Sequence, residues 1–423
     1  MATYLFPGQG SQRKGMGKGL FEAFPELTSE ADEILGYSIR DLCLKDPKQK
    51  LVQTQYTQPA LYVVNALSYQ QKLKEVDQAP DFVAGHSLGE YNALQASGAI
   101  SFADGLKLVQ KRGELMSQAP EGAMAAIVGL KADAVKEVLQ NEGLDGVDIA
   151  NDNAPTQIVI SGPPEDLSKS QVAFEASGGM FIPLNTSGAF HSRYMADAKT
   201  EFGEFLKDFK FDKLKIPVIA NLSAQPYKNI QIKKNLREQI TGTVQWTRSI
   251  QYLLEQGETE FEELGVGDVL AKLVTKIRKD SPVIVEAAVD LAKTKANTEP
   301  ARPEAEVELA SVEAATEVAV EPEPIAVESK PATSKPSSSA NTAAAAKASH
   351  AERMAADRKR VEEWNQTYPV GMKVTVDGYE GMMETRTEAM LIFGHRAAIY
   401  LKDYNGYFHL VDVSPIKEGA AAV

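Results

Sequence analysis

Cysteines, long apolar runs and an excess of basic residues are all missing from this sequence of 423 residues. The single cysteine, Cys43, excludes an internal disulfide framework and leaves too few thiols for a zinc ribbon or an iron–sulfur cluster. No apolar stretch approaches the ~20 residues of a membrane-spanning helix, and the first residues lack the basic region of a signal peptide. Acidic residues outnumber basic ones by 58 to 45, which is unusual for a protein that binds nucleic-acid phosphates. We therefore expect a soluble, cytoplasmic, multidomain protein that binds neither nucleic acid nor membrane.

A change in composition divides the chain into an N-terminal domain, a linker and a C-terminal module. Residues 293–349 are mostly Ala, Glu, Pro, Ser and Thr. Within 301–330 eight Glu face only Arg302 and Lys330, so this stretch carries −8 + 2 = −6 of the net charge of −13. Such a segment cannot bury enough apolar surface to offset chain entropy, which predicts a disordered linker. A docking motif within it is the alternative.

Residues 1–290 alternate short apolar runs with helical patterns. Buried strands are predicted at Thr3–Phe6 and Asp81–Gly85, and Ser101 is placed to cap a helix that runs through Met116. The alternation of strands and helices predicts a larger α/β subdomain of the α/β-hydrolase type, with a mostly parallel sheet.

An interval inside this domain, at about 123–186, has a different order of elements. Strands are predicted at 124–129, 147–151, 157–161 and 180–184, and helices at 132–141 and 165–176. The order β-α-β-β-α-β is that of a ferredoxin-like fold, which predicts a small subdomain inserted into the larger one.

The C-terminal module, residues 350–423, is predicted to be a helix followed by a small antiparallel β-barrel of the SH3-like type. The helix covers 351–364, and the strands cover 372–376, 389–393, 397–401 and 407–411, with a turn at 403–406. The aromatic residues of the module form either a small core or a peptide-binding groove, and a groove would make the chain a docking or scaffold protein. These residues are Trp364, Tyr368, Tyr379, Tyr404, Tyr407 and Phe408.

The strongest local signal is the pentapeptide Gly85-His86-Ser87-Leu88-Gly89. It follows an apolar strand and precedes a helix through Ala96, which is the strand–turn–helix context of a G-x-S-x-G nucleophile. The sharp turn exposes the Ser87 hydroxyl, and the start of the helix supplies N–H donors for an oxyanion. The pattern predicts a nucleophilic serine, and a structural turn is the alternative.

A serine nucleophile needs a base, and the positions of the histidines indicate which one. Only His86 and His191 precede the linker, and the side chain next to Ser87 on a tight turn diverges from it, so we expect His191 to be the base. No acidic partner stands out, because Asp148 and Asp152 are equally well explained as solvated residues. We therefore prefer a dyad oriented by a backbone carbonyl to a full triad.

Two motifs together resemble a known family. Phe6-Pro7-Gly8-Gln9-Gly10-Ser11-Gln12 and Gly85-His86-Ser87-Leu88-Gly89-Glu90-Tyr91 are similar, in order and spacing, to motifs of the malonyl-CoA:acyl carrier protein transacylases. The family includes the bacterial fatty-acid enzyme and the stand-alone acyltransferases that serve polyketide synthases lacking their own. The resemblance covers about residues 1–285, and the extra linker and module favour the polyketide setting.

The resemblance implies catalytic roles for individual residues. Ser87 matches the nucleophile that carries the malonyl ester, and His191 matches its base. The backbone N–H groups of Gln9 and Leu88 match the oxyanion hole. Gln245 matches the residue whose main-chain oxygen orients the histidine.

The resemblance also implies substrate-binding residues. Arg112 matches the arginine that pairs with the free carboxylate of malonyl, and its planar fork suits a carboxylate better than a lysine does. Phe190 matches an aromatic residue that goes with malonyl rather than methylmalonyl, with core packing as the alternative. His86 either shapes the same site or packs beside it. Residues 151–155 align with an Asn-rich loop near the entrance.

The implied reaction is a ping-pong transfer of malonyl from malonyl-CoA to the phosphopantetheine thiol of an acyl carrier protein. It passes through a malonyl-serine ester and uses no metal and no resident cofactor. An acyl hydrolase that clears carrier proteins is the rival enzyme, and Arg112 argues against it because such hydrolases typically lack this arginine. Residues 350–423 are a candidate contact for polyketide synthase modules.

Overall fold

The structure is a computed structural model that describes residues 2–76, 78–298, 350–376, 382–392, 396–402 and 407–416. The chain forms two compact units, Met1–Glu299 and Pro300–Val423. Among the described residues, no helix is both long enough and apolar enough to cross a membrane.

The first unit contains most of the regular structure. Its helices are α1 Leu20–Ala23, α2 Pro25–Leu35, α3 Ile39–Lys45, α4 Thr54–Glu75, α5 Gly89–Ala96, α6 Phe102–Ser117, α7 Ala132–Asn141, α8 Pro164–Ala176, α9 Ala196–Phe205, α10 Ile232–Gln239, α11 Trp246–Glu255, α12 Val269–Asp280 and α13 Pro282–Thr298. Its strands are β1 Ala2–Phe6, β2 Phe82–Gly85, β3 Ala123–Val128, β4 Asp148–Ala154, β5 Gln157–Gly162, β6 Met180–Pro183, β7 Val218–Ile219 and β8 Glu260–Glu263.

A parallel sheet organises the larger subdomain. Its order is β7-β2-β1-β8, and all three strand pairs are parallel. Leu5, Phe6 and Val83 are fully buried, as expected for strands of a parallel sheet that is covered on both faces. The predicted α/β architecture with a parallel sheet is confirmed.

Helix α6 follows the predicted bounds closely. The Ser101 hydroxyl accepts a hydrogen bond from the Asp104 N–H at 3.0 Å, so the predicted N-cap is confirmed. The buried face of α6 includes Leu108, Val109 and, unusually, Arg112. A charged side chain on a buried helix face needs partners inside the protein.

Residues 123–183, here called the inserted subdomain, have the predicted order of elements. β3, α7, β4, β5, α8 and β6 follow one another, and the strands form an antiparallel sheet of order β4-β5-β3-β6. Ile127, Val135, Ile158 and Phe174 belong to a separate apolar core between this sheet and its two helices.

The stretch 151–155, which the resemblance aligns with a loop, differs from that expectation. Residues 151–154 continue β4, which has two register irregularities against β5. The same edge bonds to a segment of the larger subdomain, because the Val244 N–H donates to Ala150 O and the Asp152 N–H donates to Val244 O, both at 2.9 Å. Backbone pairing on both sides keeps this polar sequence extended.

The predicted linker boundary is wrong. Helix α13 runs to Thr298, past the predicted end of the domain at 290 and the predicted start of the linker at 293. Lysine and alanine are good helix formers, so residues 293–296 extend the helix despite their lack of a periodic apolar face. The rest of the predicted linker lies outside the described residues.

The second unit contains the helix α14 His350–Thr367 and six short strands among its described residues. They are β9 Lys373–Val376, β10 Met383–Glu384, β11 Met390–Ile392, β12 Arg396–Tyr400, β13 Tyr407–His409 and β14 Val413–Pro415. They form two antiparallel sheets, β10-β9-β14 and β11-β12-β13.

The core of the second unit contains Trp364, Val374 and Ile399, and Tyr368 packs against it. At least part of the aromatic set is therefore core rather than groove. The predicted turn at 403–406 lies outside the described residues.

Candidate active site

The turn between β2 and α5, residues 85–89, is the nucleophile elbow of this structure. Ser87 has φ of 51°, a left-handed conformation that is costly for any residue with a side chain. A Cβ atom on Gly85 would lie 1.9 Å from Gly89 O, and one on Gly89 would lie 2.0 Å from Phe6 O. Only glycine fits at these two positions, so the pentapeptide pattern follows from the closeness of the two chain segments.

Asn221, from the segment after β7, braces the elbow. Its side-chain oxygen accepts from the Ser87 N–H at 2.7 Å, and its side-chain nitrogen donates to Gly85 O at 2.7 Å. Two hydrogen bonds from one buried amide offset part of the backbone strain at Ser87.

His191 lies against the nucleophile. Its Nε2 is 2.7 Å from Ser87 Oγ, and its Nδ1 is 2.8 Å from the main-chain oxygen of Gln239. A carbonyl oxygen only accepts, so Nδ1 carries the proton and Nε2 is left to accept from the serine hydroxyl. His191 is buried and also has a left-handed backbone, with φ of 57°.

The predicted orienting residue, Gln245, is wrong. The main-chain oxygen of Gln245 accepts the first hydrogen bonds of α11, from Ser249 N at 3.0 Å and Ser249 Oγ at 2.9 Å, so it is not available to His191. Gln239 is the last residue of α10, and helix C-termini leave carbonyl groups without intrahelical partners. The end of α10, rather than the residue type, distinguishes the two glutamines.

Arg112 completes the predicted group of three. Its NH2 donates to Ser87 Oγ at 3.1 Å and to Gln239 Oε1 at 3.0 Å, and its NH1 donates to Gln58 Oε1 at 2.7 Å. Only 1% of the residue is exposed. The predicted proximity of Ser87, His191 and Arg112 is confirmed.

Gln9 lies on the loop after β1, which packs directly on the elbow. A Cβ atom on Gly8 would lie 2.3 Å from His86 O, and Gln9 Oε1 accepts from Thr54 Oγ1 at 2.8 Å. Within the described part of the chain, the backbone N–H groups of Gln9 and Leu88 donate to no protein acceptor. Both are therefore free to donate to a ligand near Ser87.

His86 and Phe190 form their described side-chain contacts with residues other than Ser87. His86 Nε2 is 2.7 Å from Asn153 Oδ1 in the inserted subdomain, and the imidazole lies edge-on to Trp246 with 5.4 Å between ring centroids. Phe190 is 5% exposed and belongs to the main apolar core. The described contacts of both residues are those of packing, and the specificity role suggested for them stays a prediction.

Burial sets the protonation of two groups in the site. It lowers the pKa of His191 to about 3, helped by the positive charge of Arg112, so the imidazole is neutral at physiological pH. Burial also raises the pKa of Glu90 to about 7, although Asn221, Tyr227, Gln239 and Arg112 each favour its charged form. A neutral imidazole beside a hydroxyl can act as a base, and a guanidinium beside it can hold an anion.

A pocket of about 560 Å³ reaches His191 from the surface. Asp148 of the inserted subdomain and Arg193 and Lys199 of the larger one contribute to its lining. Asp148 forms a two-oxygen contact with Arg193 Nε at 3.0 and 3.1 Å, and Asp152 accepts from Thr247 Oγ1. Neither aspartate contacts His191, which supports a dyad over a triad.

Sequence reasoning did not find four polar residues of the site, Gln58, Glu90, Asn221 and Gln239. Each is 1% exposed or less, and each bonds to residues far away in the sequence. Among the described residues, no cluster of His, Cys, Asp and Glu is arranged to hold a metal ion.

Comparisons with known proteins agree on one family. Residues 3–264 match the model of the acyl transferase domain. The chain is 55% identical over 283 residues to the polyketide biosynthesis malonyl CoA-acyl carrier protein transacylase BaeC of Bacillus velezensis, covering 66% of this chain and 98% of that protein.

Solved structures give the same result. The crystal structure of a malonyl CoA-acyl carrier protein transacylase from Burkholderia pseudomallei is 51% identical, with a TM-score of 0.65, over 67% of this chain and 99% of that one. A malonyl-transacylase solved in complex with its type II PKS acyl-carrier protein is 31% identical, with a TM-score of 0.63, over 68% of this chain and 99% of that one.

Proposed function

This chain belongs to the acyl transferase domain family, among the malonyl CoA-acyl carrier protein transacylases, and from that premise we propose that it transfers malonyl from malonyl-CoA to the phosphopantetheine thiol of an acyl carrier protein. One observation carries the proposal. Ser87 Oγ lies 2.7 Å from the base His191 and 3.1 Å from the guanidinium of Arg112.

The first half-reaction loads the serine. Ser87 Oγ attacks the thioester carbonyl of malonyl-CoA while its proton passes to His191 Nε2. The new C–O bond replaces the C–S bond, and the proton on Nε2 goes to the departing coenzyme A thiolate. The Gln239 carbonyl holds Nδ1–H throughout, at 2.8 Å.

The tetrahedral intermediate carries a negative charge on the former carbonyl oxygen. The backbone N–H groups of Gln9 and Leu88 stabilise this oxyanion. This role is supported by their position at the elbow, where neither N–H donates to an acceptor among the described residues. Removal of one such donor from an oxyanion hole slows acyl transfer by about 10²–10³-fold.

Arg112 selects the malonyl group. Only one methylene separates the two carboxyl carbons of malonyl, so a residue that holds the free carboxylate must lie close to the nucleophile. The distance of 3.1 Å from Arg112 NH2 to Ser87 Oγ meets this requirement. We also assign to Phe190, next to His191 in the sequence, and to His86 at the elbow the restriction of space around that methylene, which is the role that the resemblance implies for them.

The second half-reaction reverses the first. The phosphopantetheine thiol of the carrier protein gives its proton to His191 Nε2, and its sulfur attacks the malonyl-serine carbonyl. The C–S bond forms, the C–O bond breaks, and the proton returns to Ser87 Oγ. Neither half needs a metal or a resident cofactor.

The setting that fits best is polyketide synthesis. The relative that is 55% identical is named for polyketide biosynthesis, and the second unit adds a small β module beyond the region that matches it. We assign this module, with its two small antiparallel sheets, to the SH3-like barrels and to contacts with synthase modules. The order and pairing of the strands in the inserted subdomain support a ferredoxin-like fold. The cytoplasmic location expected from the sequence stays a prediction.

The test is acyl-enzyme formation with radiolabelled malonyl-CoA. We expect the wild type to retain one label per chain, to release it to an added carrier protein, and to release little of it to water. Ser87→Ala should retain none, while Ser68→Ala, a matched change on α4, should behave as the wild type. Label that is retained by Ser87→Ala, or that is lost to water rather than passed to carrier protein, would contradict malonyl transfer.

A further inference from the structure

Gln239 forms hydrogen bonds with the nucleophile residue, the base and the arginine, which no other described residue does. Its main-chain oxygen accepts from His191. Its side-chain oxygen accepts from Arg112 NH2 at 3.0 Å, and its side-chain nitrogen donates to Ser87 O at 2.9 Å. The residue is fully buried, yet the reaction described above uses only its main chain.

The orientation of the Gln239 amide is imposed by its surroundings. Nε2 faces a carboxylate oxygen of Glu90, the main-chain oxygen of Ser87 at 2.9 Å and Asn221 Oδ1 at 3.4 Å. All three are acceptors, so they require the NH₂ group, and the amide oxygen must point to Arg112.

Glu90, which imposes much of this orientation, is itself held in place. Its other carboxylate oxygen accepts from Asn221 N at 2.9 Å and from Tyr227 OH at 2.7 Å. The chain thus holds a buried carboxylate and a buried guanidinium on opposite sides of one amide group.

This arrangement anchors Arg112 through neutral oxygens, and the nearby Glu90 carboxylate acts on it at a distance rather than by direct contact. NH1 rests on Gln58 Oε1 and NH2 on Gln239 Oε1, and both acceptors are neutral. Among the described residues, no carboxylate forms an ion pair with Arg112. A carboxylate in direct contact would form strong charge-assisted bonds to the guanidinium and compete with any carboxylate that enters from outside.

We propose that the side chain of Gln239 is a specificity-determining positioning residue, which orients Arg112 through a neutral oxygen and keeps the Glu90 carboxylate off it, so that the guanidinium stays available to the substrate carboxylate. The proposal rests on the malonyl transfer proposed above. It separates two functions of one residue: the main chain positions the base, and the side chain sets the preference for a charged acyl group.

The decisive variant is Gln239→Glu, which preserves size and the main-chain contact to His191. Two adjoining carboxyls share one proton, so near pH 8 Glu90 and the introduced carboxyl together keep about one negative charge, as Glu90 alone does in the wild type. The substitution therefore brings the existing negative charge into contact with Arg112 and does not increase the total negative charge. The measurement is the rate of acyl-serine formation from malonyl-CoA and from acetyl-CoA, followed by mass spectrometry of the intact protein.

We expect the malonyl-to-acetyl ratio of kcat/KM to fall by roughly 30-fold or more in Gln239→Glu. The introduced carboxylate repels the free carboxylate of malonyl but not the uncharged acetyl group, and such repulsion costs far more in a buried site than in an exposed one. Gln245→Glu, the same change at the neighbouring glutamine that does not touch Arg112, should keep the wild-type ratio. A proportional loss with both substrates would reduce Gln239 to a structural residue and overturn the proposal, as would an unchanged ratio.

A second variant covers the case in which Gln239→Glu does not fold. Gln239→Met removes one of the two amide oxygens that hold Arg112 but retains the main-chain carbonyl, and we expect the ratio to fall about 5-fold. An unchanged ratio in this variant also overturns the proposal. If instead the wild type forms no malonyl-serine, malonyl transfer itself fails, so the two failures are distinct.

Discussion

The larger subdomain and the inserted subdomain differ in what they bury. The larger one buries Arg112, Glu90 and Gln239 beside its sheet, and every described non-glycine residue with positive φ lies in it. The inserted one has a plain apolar core with residues such as Ile127 and Phe174. Strain and buried charge reduce stability, so their confinement to one region indicates that this region is shaped by chemistry and the other by packing.

The largest expected effect separates the two regions by activity. His191→Gln should slow malonyl-serine formation by about 10⁴-fold, because the general base is lost, while the protein still unfolds cooperatively. Stopped-flow or quench measurements of loading, paired with urea denaturation, test this. His86→Gln is the matched control, and we expect a far smaller loss because His86 bonds to Asn153 rather than to the nucleophile. Equal losses would remove the distinction between the two histidines.

In the inserted subdomain we expect a substitution to reduce stability without reducing activity. Phe174→Ala should lower the free energy of unfolding by about 3–5 kcal/mol, because it leaves a cavity in a small apolar core. The loading rate per folded molecule should stay near that of the wild type. Val172→Ala, at an exposed position of the same helix, is the control for stability. A large loss of loading rate per folded molecule in Phe174→Ala would contradict the assignment of chemistry to the larger subdomain and of packing to the inserted one.

Arg112 links charge in the active region to both substrate and base. Arg112→Met should reduce malonyl loading by about 100-fold and spare or raise loading of uncharged acyl groups. Because the charge of Arg112 lowers the pKa of His191, its removal should also shift the acidic limb of the loading profile to higher pH. Lys111→Met, one position away and paired with Glu114 on the exposed side of the helix, should change neither. An unshifted acidic limb would show that burial alone sets the pKa of His191.

Glu90 predicts a pH dependence of stability in the active region. Its pKa is raised from 4.5 to about 7 in the folded chain, so its contribution is fully present below about pH 4.5 and is lost as the pH rises to about 7. Chemical denaturation of the wild type and of Glu90→Gln across this range should give a difference curve of about 3 kcal/mol. The difference is needed because His191, with its lowered pKa, contributes the opposite slope below pH 6.5. A flat difference curve would contradict the buried carboxyl.

The smallest expected effect lies where the two regions meet. Asp148→Asn weakens a half-exposed ion pair with Arg193, and such pairs contribute about 1 kcal/mol or less. We expect the rate of malonyl loading to stay within about 3-fold of the wild type. The general base, His191, does not contact Asp148 and so loses no hydrogen-bond partner. A loss as large as that of His191→Gln would instead make Asp148 the acidic member of a triad.

How much of the fold and the site the sequence predicts depends on how far apart in the sequence the interacting residues lie. The elbow was predictable because Gly85, Ser87 and Gly89 are local and their crowding is steric. The inserted subdomain was predictable because its strands and helices carry periodic apolar patterns, with α7 matched at both ends. The short strands β10 and β14 were missed because two or three residues carry no period.

The buried polar network was out of reach for a different reason. Asn221 meets Ser87 across 134 residues and Gln239 meets it across 152, and neither residue belongs to a repeating pattern. The resemblance points to Gln245, whereas the outcome depends on which carbonyl at a helix end lies within reach of His191, and that carbonyl belongs to Gln239. Topology, rather than residue type, decides that question.

The burial of His191 has a consequence for the lifetime of the loaded enzyme. An imidazole whose conjugate acid has a pKa of about 3 is a weak base, so it assists best those attackers that give up a proton readily. A thiol ionises near pH 8.5, whereas water does so near 15.7. The same histidine therefore assists attack by a thiol more than attack by water, which slows hydrolysis of the ester while it waits for its carrier.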